Sequence, residues 1–101
     1  MEAPLEVKWS AEAVRDREAI VGYIWLDSPL AARRMNATFD RTAARLAQFP
    51  RSGRPGQFPG TREQLAHPRY RIVYAIGPDA LTILALVHTA RQWPPIEDEN
   101  S

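Results

Sequence analysis

The stretch YRIVYAIGPDALTILALVH, Tyr70 to His88, decides the fold. Its opening residues put Tyr70, Ile72, Tyr74 and Ile76 on one side of an extended chain, because successive strand side chains point to opposite faces. Gly77-Pro78-Asp79 is a turn signal, and Leu81–His88, rich in Leu, Ile and Val, reads as a second strand. Upstream, Thr61–Ala66 is a weaker strand, set off by the turn His67-Pro68-Arg69. Strands joined by such short turns predict an antiparallel meander.

Further back, Phe49–Gly60 contains Pro50, Gly53, Pro55, Gly56, Pro59 and Gly60 and is expected to lack regular structure. Before it, Ala31, Met35, Thr38, Phe39, Thr42 and Leu46 recur at helical spacing, which predicts a helix from Pro29 to Gln48. Ser28 supplies its cap, and Pro29 stands in the first turn, where a missing N–H costs nothing. A second stripe, Val14, Ile20, Val21, Ile24 and Trp25, predicts a helix over Ala11–Leu26 capped by Ser10. The short break Asp27-Ser28-Pro29 makes the two helices an antiparallel hairpin. Leu5, Val7 and Trp9 alternate with Glu6 and Lys8, the pattern of a half-buried strand.

The element order is therefore β-α-α-β-β-β. Two amphipathic helices bury their stripes most simply on one face of a sheet, which gives a two-layer α+β domain with a four-stranded antiparallel sheet. The helical hairpin covers one face and the other stays largely open. With 101 residues there is room for one domain, expected over residues 1–96, followed by a flexible acidic tail at 97–101.

Composition excludes several classes. There are 13 basic and 12 acidic residues, so the chain is neither a polycation nor a polyacidic tail protein. Cysteine is absent, which removes disulfides, thiolate metal sites and a thiol nucleophile. No metal site and no cofactor is expected, since His67 and His88 stand far apart with no carboxylate at ligand spacing. Apolar runs such as Ile83–Val87 are too short to span a membrane. Met1-Glu2-Ala3-Pro4 has neither part of a signal peptide, so the cytoplasm is the expected compartment.

Twelve of the 13 basic residues are arginine. A G+C-rich genome would favour arginine codons everywhere. Position argues for more, because Phe49–Arg71 holds Arg51, Arg54, Arg62, Arg69 and Arg71 against Glu63 alone. Such an excess suits an anionic partner, a nucleic-acid backbone or a carboxylate patch on a protein. Arg71 alternates with Tyr70 and Ile72 and is expected to point from the open face as an exposed cation. His88 ends the last strand, with Arg91 and Trp93 just beyond. An imidazole there is a candidate proton acceptor, and an arginine a candidate stabiliser of phosphorane charge. The plainer alternatives are a strand-end histidine bonded to backbone and a tryptophan folded back on the sheet. His67, before a proline in a turn, reads as a surface residue.

Five segments in order carry a resemblance to a known family. They are Val7–Ala13, Phe49–Gly56, Gly60–Leu65, Tyr70–Ile76 and Val87–Pro94. Together they resemble the RelE/ParE superfamily of toxins from bacterial type II toxin–antitoxin modules, ParE-like more than RelE-like. The resemblance implies a growth-inhibiting toxin wrapped and silenced by a cognate, ParD-like antitoxin. It implies one of two targets: DNA gyrase, blocked by binding alone, or the ribosome, where RelE-like members cleave mRNA. The strand position that would carry a catalytic arginine falls on Ala66, and only Arg91 matches well, which favours gyrase. Arg62, Arg71, Arg91 and Trp93 are then the candidate target-binding residues, while Arg71, His88 and Arg91 are the catalytic candidates if the chain is a nuclease. A third reading is a non-toxic binding module that keeps the fold.

Overall fold

A computed structural model describes residues 3–95. The predicted acidic tail at 97–101 lies outside them. The elements are β1 (Glu6–Trp9), α1 (Ala11–Asp27), α2 (Pro29–Gln48), a 3₁₀ turn at Pro50–Ser52, β2 (Arg54–Pro55), β3 (Arg62–His67), β4 (Tyr70–Ile76) and β5 (Ala80–His88). Both caps work as expected: Ser10 Oγ accepts the N–H of Ala13 at 3.0 Å, and Ser28 Oγ that of Ala31 at 3.1 Å.

The α+β class holds, with the helical hairpin on one face, but the sheet differs from the expected four antiparallel strands. It has five strands in the order β1-β5-β4-β3-β2 and is mixed, because β1 runs parallel to β5. The reason lies in how α1 leaves β1. Ser10 caps the helix at the very end of the strand, so the chain runs on rather than turning back. Along α1, Asp16 reaches Leu86 and Ile20 lies beside His88, so the helix advances with β5. Then α2 returns, and the Ala47 carbonyl accepts the N–H of Leu5 at 3.0 Å, at the start of β1. Three further reversals, into β3, β4 and β5, bring β5 in alongside β1 with the same direction.

The fifth strand comes from the loop expected to be irregular. Arg54 and Pro55 pair with Glu63 and Arg62 at the outer edge of the sheet, where a proline's missing N–H faces away from the ladder. Gly53 is required here, since a Cβ on it would lie 2.6 Å from the Tyr74 hydroxyl. That buried hydroxyl accepts the N–H of Gly53 at 3.1 Å and donates to the Pro50 carbonyl at 2.6 Å.

The main core lies between helices and sheet. Phe39, Leu46, Ile72, Tyr74, Leu81 and Ile83 are essentially inaccessible. Burying each aliphatic or phenyl side chain contributes about 1.5–3 kcal/mol. The expectation of a largely open far face needs correction. Val73, Ala85 and Val87 are buried on that face, with Leu84 and Trp93 packed against them. A bulge at Leu84, between Val73↔Ala85 and Tyr74↔Ile83, lets β5 serve both clusters.

The hairpin tip is different again. The run Ala19–Leu26 has no charged residue, and Tyr23, Trp25, Leu26 and Leu30 are all exposed. Among the described residues, no helix is long and apolar enough to cross a membrane.

Candidate functional site

The far face of the sheet carries a cleft lined by Arg54, Gln57, Glu63, Arg71, Arg91 and Gln92. Its floor is Arg71 on β4, paired across the sheet with Val87. Arg71 was expected to be an exposed cation. It is on the predicted face but only 8% accessible. Its Nε lies 3.0 Å from Glu63 Oε1, an ion pair without the alignment of a hydrogen bond. Its two terminal nitrogens donate to the carbonyls of His88, Thr89 and Arg91. One guanidinium therefore holds the chain that leaves β5. The physical cause is the strand's alternation, which aims Arg71 away from the helices, together with Glu63 on the neighbouring strand, which offsets its charge.

Arg62 is also engaged. Its Nη2 donates to the Gly53 carbonyl at 2.6 Å and the Arg51 carbonyl at 3.2 Å, fixing the loop before β2. Arg91 is exposed and borders both this cleft and a groove beside α1. Trp93 is half-buried on the far-face cluster, edge-on to Phe58 at 6.4 Å, and its indole N–H points to Glu12 Oε2 at 3.4 Å. The folded-back tryptophan is thus the arrangement found.

His88 belongs to the other face. It pairs with Tyr70, and the two rings meet edge to face at 5.7 Å. Its Nδ1 accepts the N–H of Ala90 at 3.1 Å, which leaves the proton of a neutral ring on Nε2. His67 makes the same local bond, Nδ1 accepting from Arg69. Because Tyr70 and Arg71 are successive strand residues, His88 and Arg71 point from opposite faces of the sheet. Of the residues named from sequence, the fold brings Arg71 and Arg91 to one cleft and sets His88 across the sheet from Arg71, with Arg91 bordering its groove beside α1.

Glu63 and Arg54 went unnoticed in the sequence as site residues. Arg54 reaches Glu63 Oε1 at 3.5 Å while its side chain stays 75% exposed, so the cleft presents Arg54 and Arg91 to solvent. The one available signal was Glu63 itself, the single carboxylate among five arginines. In the groove beside α1, Asp16 accepts the N–H of Leu86 at 3.0 Å, capping the part of β5 that β1 does not reach. Burial pushes its carboxyl above the ordinary 3.8, and Glu12 adds to this, while the Leu86 N–H and Arg15 pull the other way.

A small α+β domain with an arginine-lined cleft on the far face of its sheet is the class that geometry defines. Comparison with known proteins supplies the family. The model for the ParE toxin of the type II toxin–antitoxin system parDE matches residues 7–93. The Y4kP toxin candidate of Sinorhizobium fredii is 40% identical over 91 residues, covering 89% of this chain and 94% of its own. Toxin RelE2 of Caulobacter vibrioides is 36% identical over 86 residues, covering 85% and 97%. Among solved structures, the chromosomal ParDE system of P. aeruginosa aligns with TM-score 0.73 at 24% identity, over 83% of this chain and 95% of that one. The RelBE2 toxin–antitoxin complex of Mycobacterium tuberculosis aligns with TM-score 0.63 at 24% identity, over 85% and 99%. The chain belongs to the ParE toxin family within the RelE/ParE superfamily. It is a toxin of a type II toxin–antitoxin system.

Proposed function

We propose that this toxin arrests growth by binding DNA gyrase in the cytoplasm and is silenced by a cognate, ParD-like antitoxin. The observation that carries the target is the separation of His88 from Arg71 across the sheet, with Arg71 already bound to Glu63 and three carbonyls. Cleavage of mRNA needs a base at the ribose 2′-hydroxyl and cations at the same phosphate, and in the groove beside His88 the fold supplies, among the described residues, Arg91 alone. Trapping gyrase needs only a surface. Arg91 and Trp93 are the proposed contacts on that surface, while Arg62 and Arg71 position the loop and the segment that present them. The antitoxin reading is supported by the neighbouring structures, which are toxin–antitoxin systems. It also suits the exposed tip residues Tyr23, Trp25 and Leu26, since apolar surface of this kind marks a protein contact.

A supercoiling assay tests the target. Purified toxin should inhibit gyrase or accumulate cleaved DNA–gyrase complexes, and Arg91→Ala should weaken this about tenfold, the effect of about 1.4 kcal/mol of binding energy. Untouched gyrase at excess toxin, with mRNA cut within translated codons, would replace this reading with the ribosomal one that the name of the Caulobacter relative suggests. Normal growth on expression without any partner would favour a non-toxic module.

A further inference from the structure

A second basic surface lies on α2, away from the cleft. Arg34, Thr38, Arg41 and Arg45 recur at intervals of four, three and four, one stripe down the helix. They stand on the side opposite Ala32, Phe39 and Ala43, which face the core, and all three arginines are exposed. Arg33 adjoins them. The one carboxylate on α2, Asp40, is drawn aside by Arg17 of α1 at 2.8 Å. Among the described residues, the stripe arginines take part in no ion pair. Arg41 and Arg45 are like charges one turn apart, an arrangement that weakens a helix. Arg41 is held in place, since its Nη2 donates to Thr38 Oγ1, which itself donates to the Arg34 carbonyl.

We propose that this stripe binds the phosphate backbone of double-stranded DNA. The side chains between the arginines argue for that occupant. Exposed Leu30 and Phe49 stand one turn beyond the two ends of the stripe, and between the arginines Ala37, Thr38 and Ala44 offer no large apolar anchor, which an acidic protein partner would need at the centre of a stable interface. Nor do they offer an aromatic platform on which unpaired bases could stack. What remains is regularly spaced guanidinium charge along about 16 Å of helix, the rise of about five base pairs. Contact of this kind is read by charge alone and carries no base sequence. The inference does not rest on the gyrase reading, because the stripe and the cleft lie on opposite sides of the molecule.

The test uses the full chain and a fluorescein-labelled 30-base-pair duplex, with anisotropy read between 50 and 200 mM KCl. Three arginine contacts predict a slope of log affinity against log salt near −2.7, which is about a 40-fold loss over that range. The variant Arg34→Gln/Arg41→Gln/Arg45→Gln should lose the binding and its salt slope, while Arg91→Gln should keep both. Glutamine preserves helix propensity, and each single Arg→Gln change should flatten the slope by about 0.9, so the reading survives a triple variant that fails to fold. Absent binding at 50 mM KCl, or equal binding by the single and parent chains, would overturn the proposal. So would equal, stripe-dependent capture of polyglutamate, which would assign the surface to an acidic protein.

Discussion

On the helix-covered face of the sheet, Phe39, Leu46, Ile72, Tyr74, Leu81 and Ile83 are buried with no charge among them. On the far face, burial is divided between Val73, Ala85 and Val87 and the pair Glu63–Arg71. The first face is held by area removed from water, which is additive and forgiving of shape-conserving swaps. The second depends on a charged pair whose desolvation is offset only while both partners are present. The far face is thereby tied to the proposed gyrase contact, since the same guanidinium that balances Glu63 fixes the residues leading to Arg91.

Three measurements can break or sharpen that contrast. The largest loss should follow Phe39→Ala, about 4 kcal/mol in urea unfolding, because the ring is fully enclosed and leaves a cavity against Tyr70 and Ile72. Next, Arg71→Ala should cost about 3 kcal/mol by stranding Glu63, while the double change Glu63→Met/Arg71→Met should recover most of it. A larger loss for Arg71→Ala than for Phe39→Ala, or no recovery in the double variant, would erase the distinction between the faces. The smallest effect concerns Asp16. Its folded-state pKa is raised, so the native state holds this proton more tightly than the unfolded chain. Stability from this group therefore falls as pH rises from 3.8 toward the raised value. Asp16→Asn should flatten the pH dependence of unfolding in that window and keep an acceptor for the Leu86 N–H. An unchanged profile would mean that the carboxylate is as well solvated folded as unfolded.

The same contrast explains what was legible in the sequence. The helix α2 and the strand β4 fall where the spacing predicts, because their periodicity is local and apolar. The serine caps are local too. The parallel pairing of β1 with β5 was hidden, since it depends on α1 continuing past the sheet rather than on any residue in either strand. Within the site, strand alternation correctly put Arg71 on the face away from the helices. Its burial was not readable, because that depends on the register of β3, which sets Glu63 opposite Val73 and within reach of Arg71. The strand made by Arg54 and Pro55 was masked by proline and glycine, whose turn chemistry is stronger than two residues of pairing.

The partnership of Glu6 with Ala80 joins the front of this chain to its last strand. Contacts so distant along the polymer are slow to form, because the loop they close is long. During synthesis the N-terminal strand waits for β5 to be made, and the sheet has no assembled centre until then. The residues of the cleft beyond β5, Arg91 among them, are made later still, so the folded surface exists only once nearly all of the chain does.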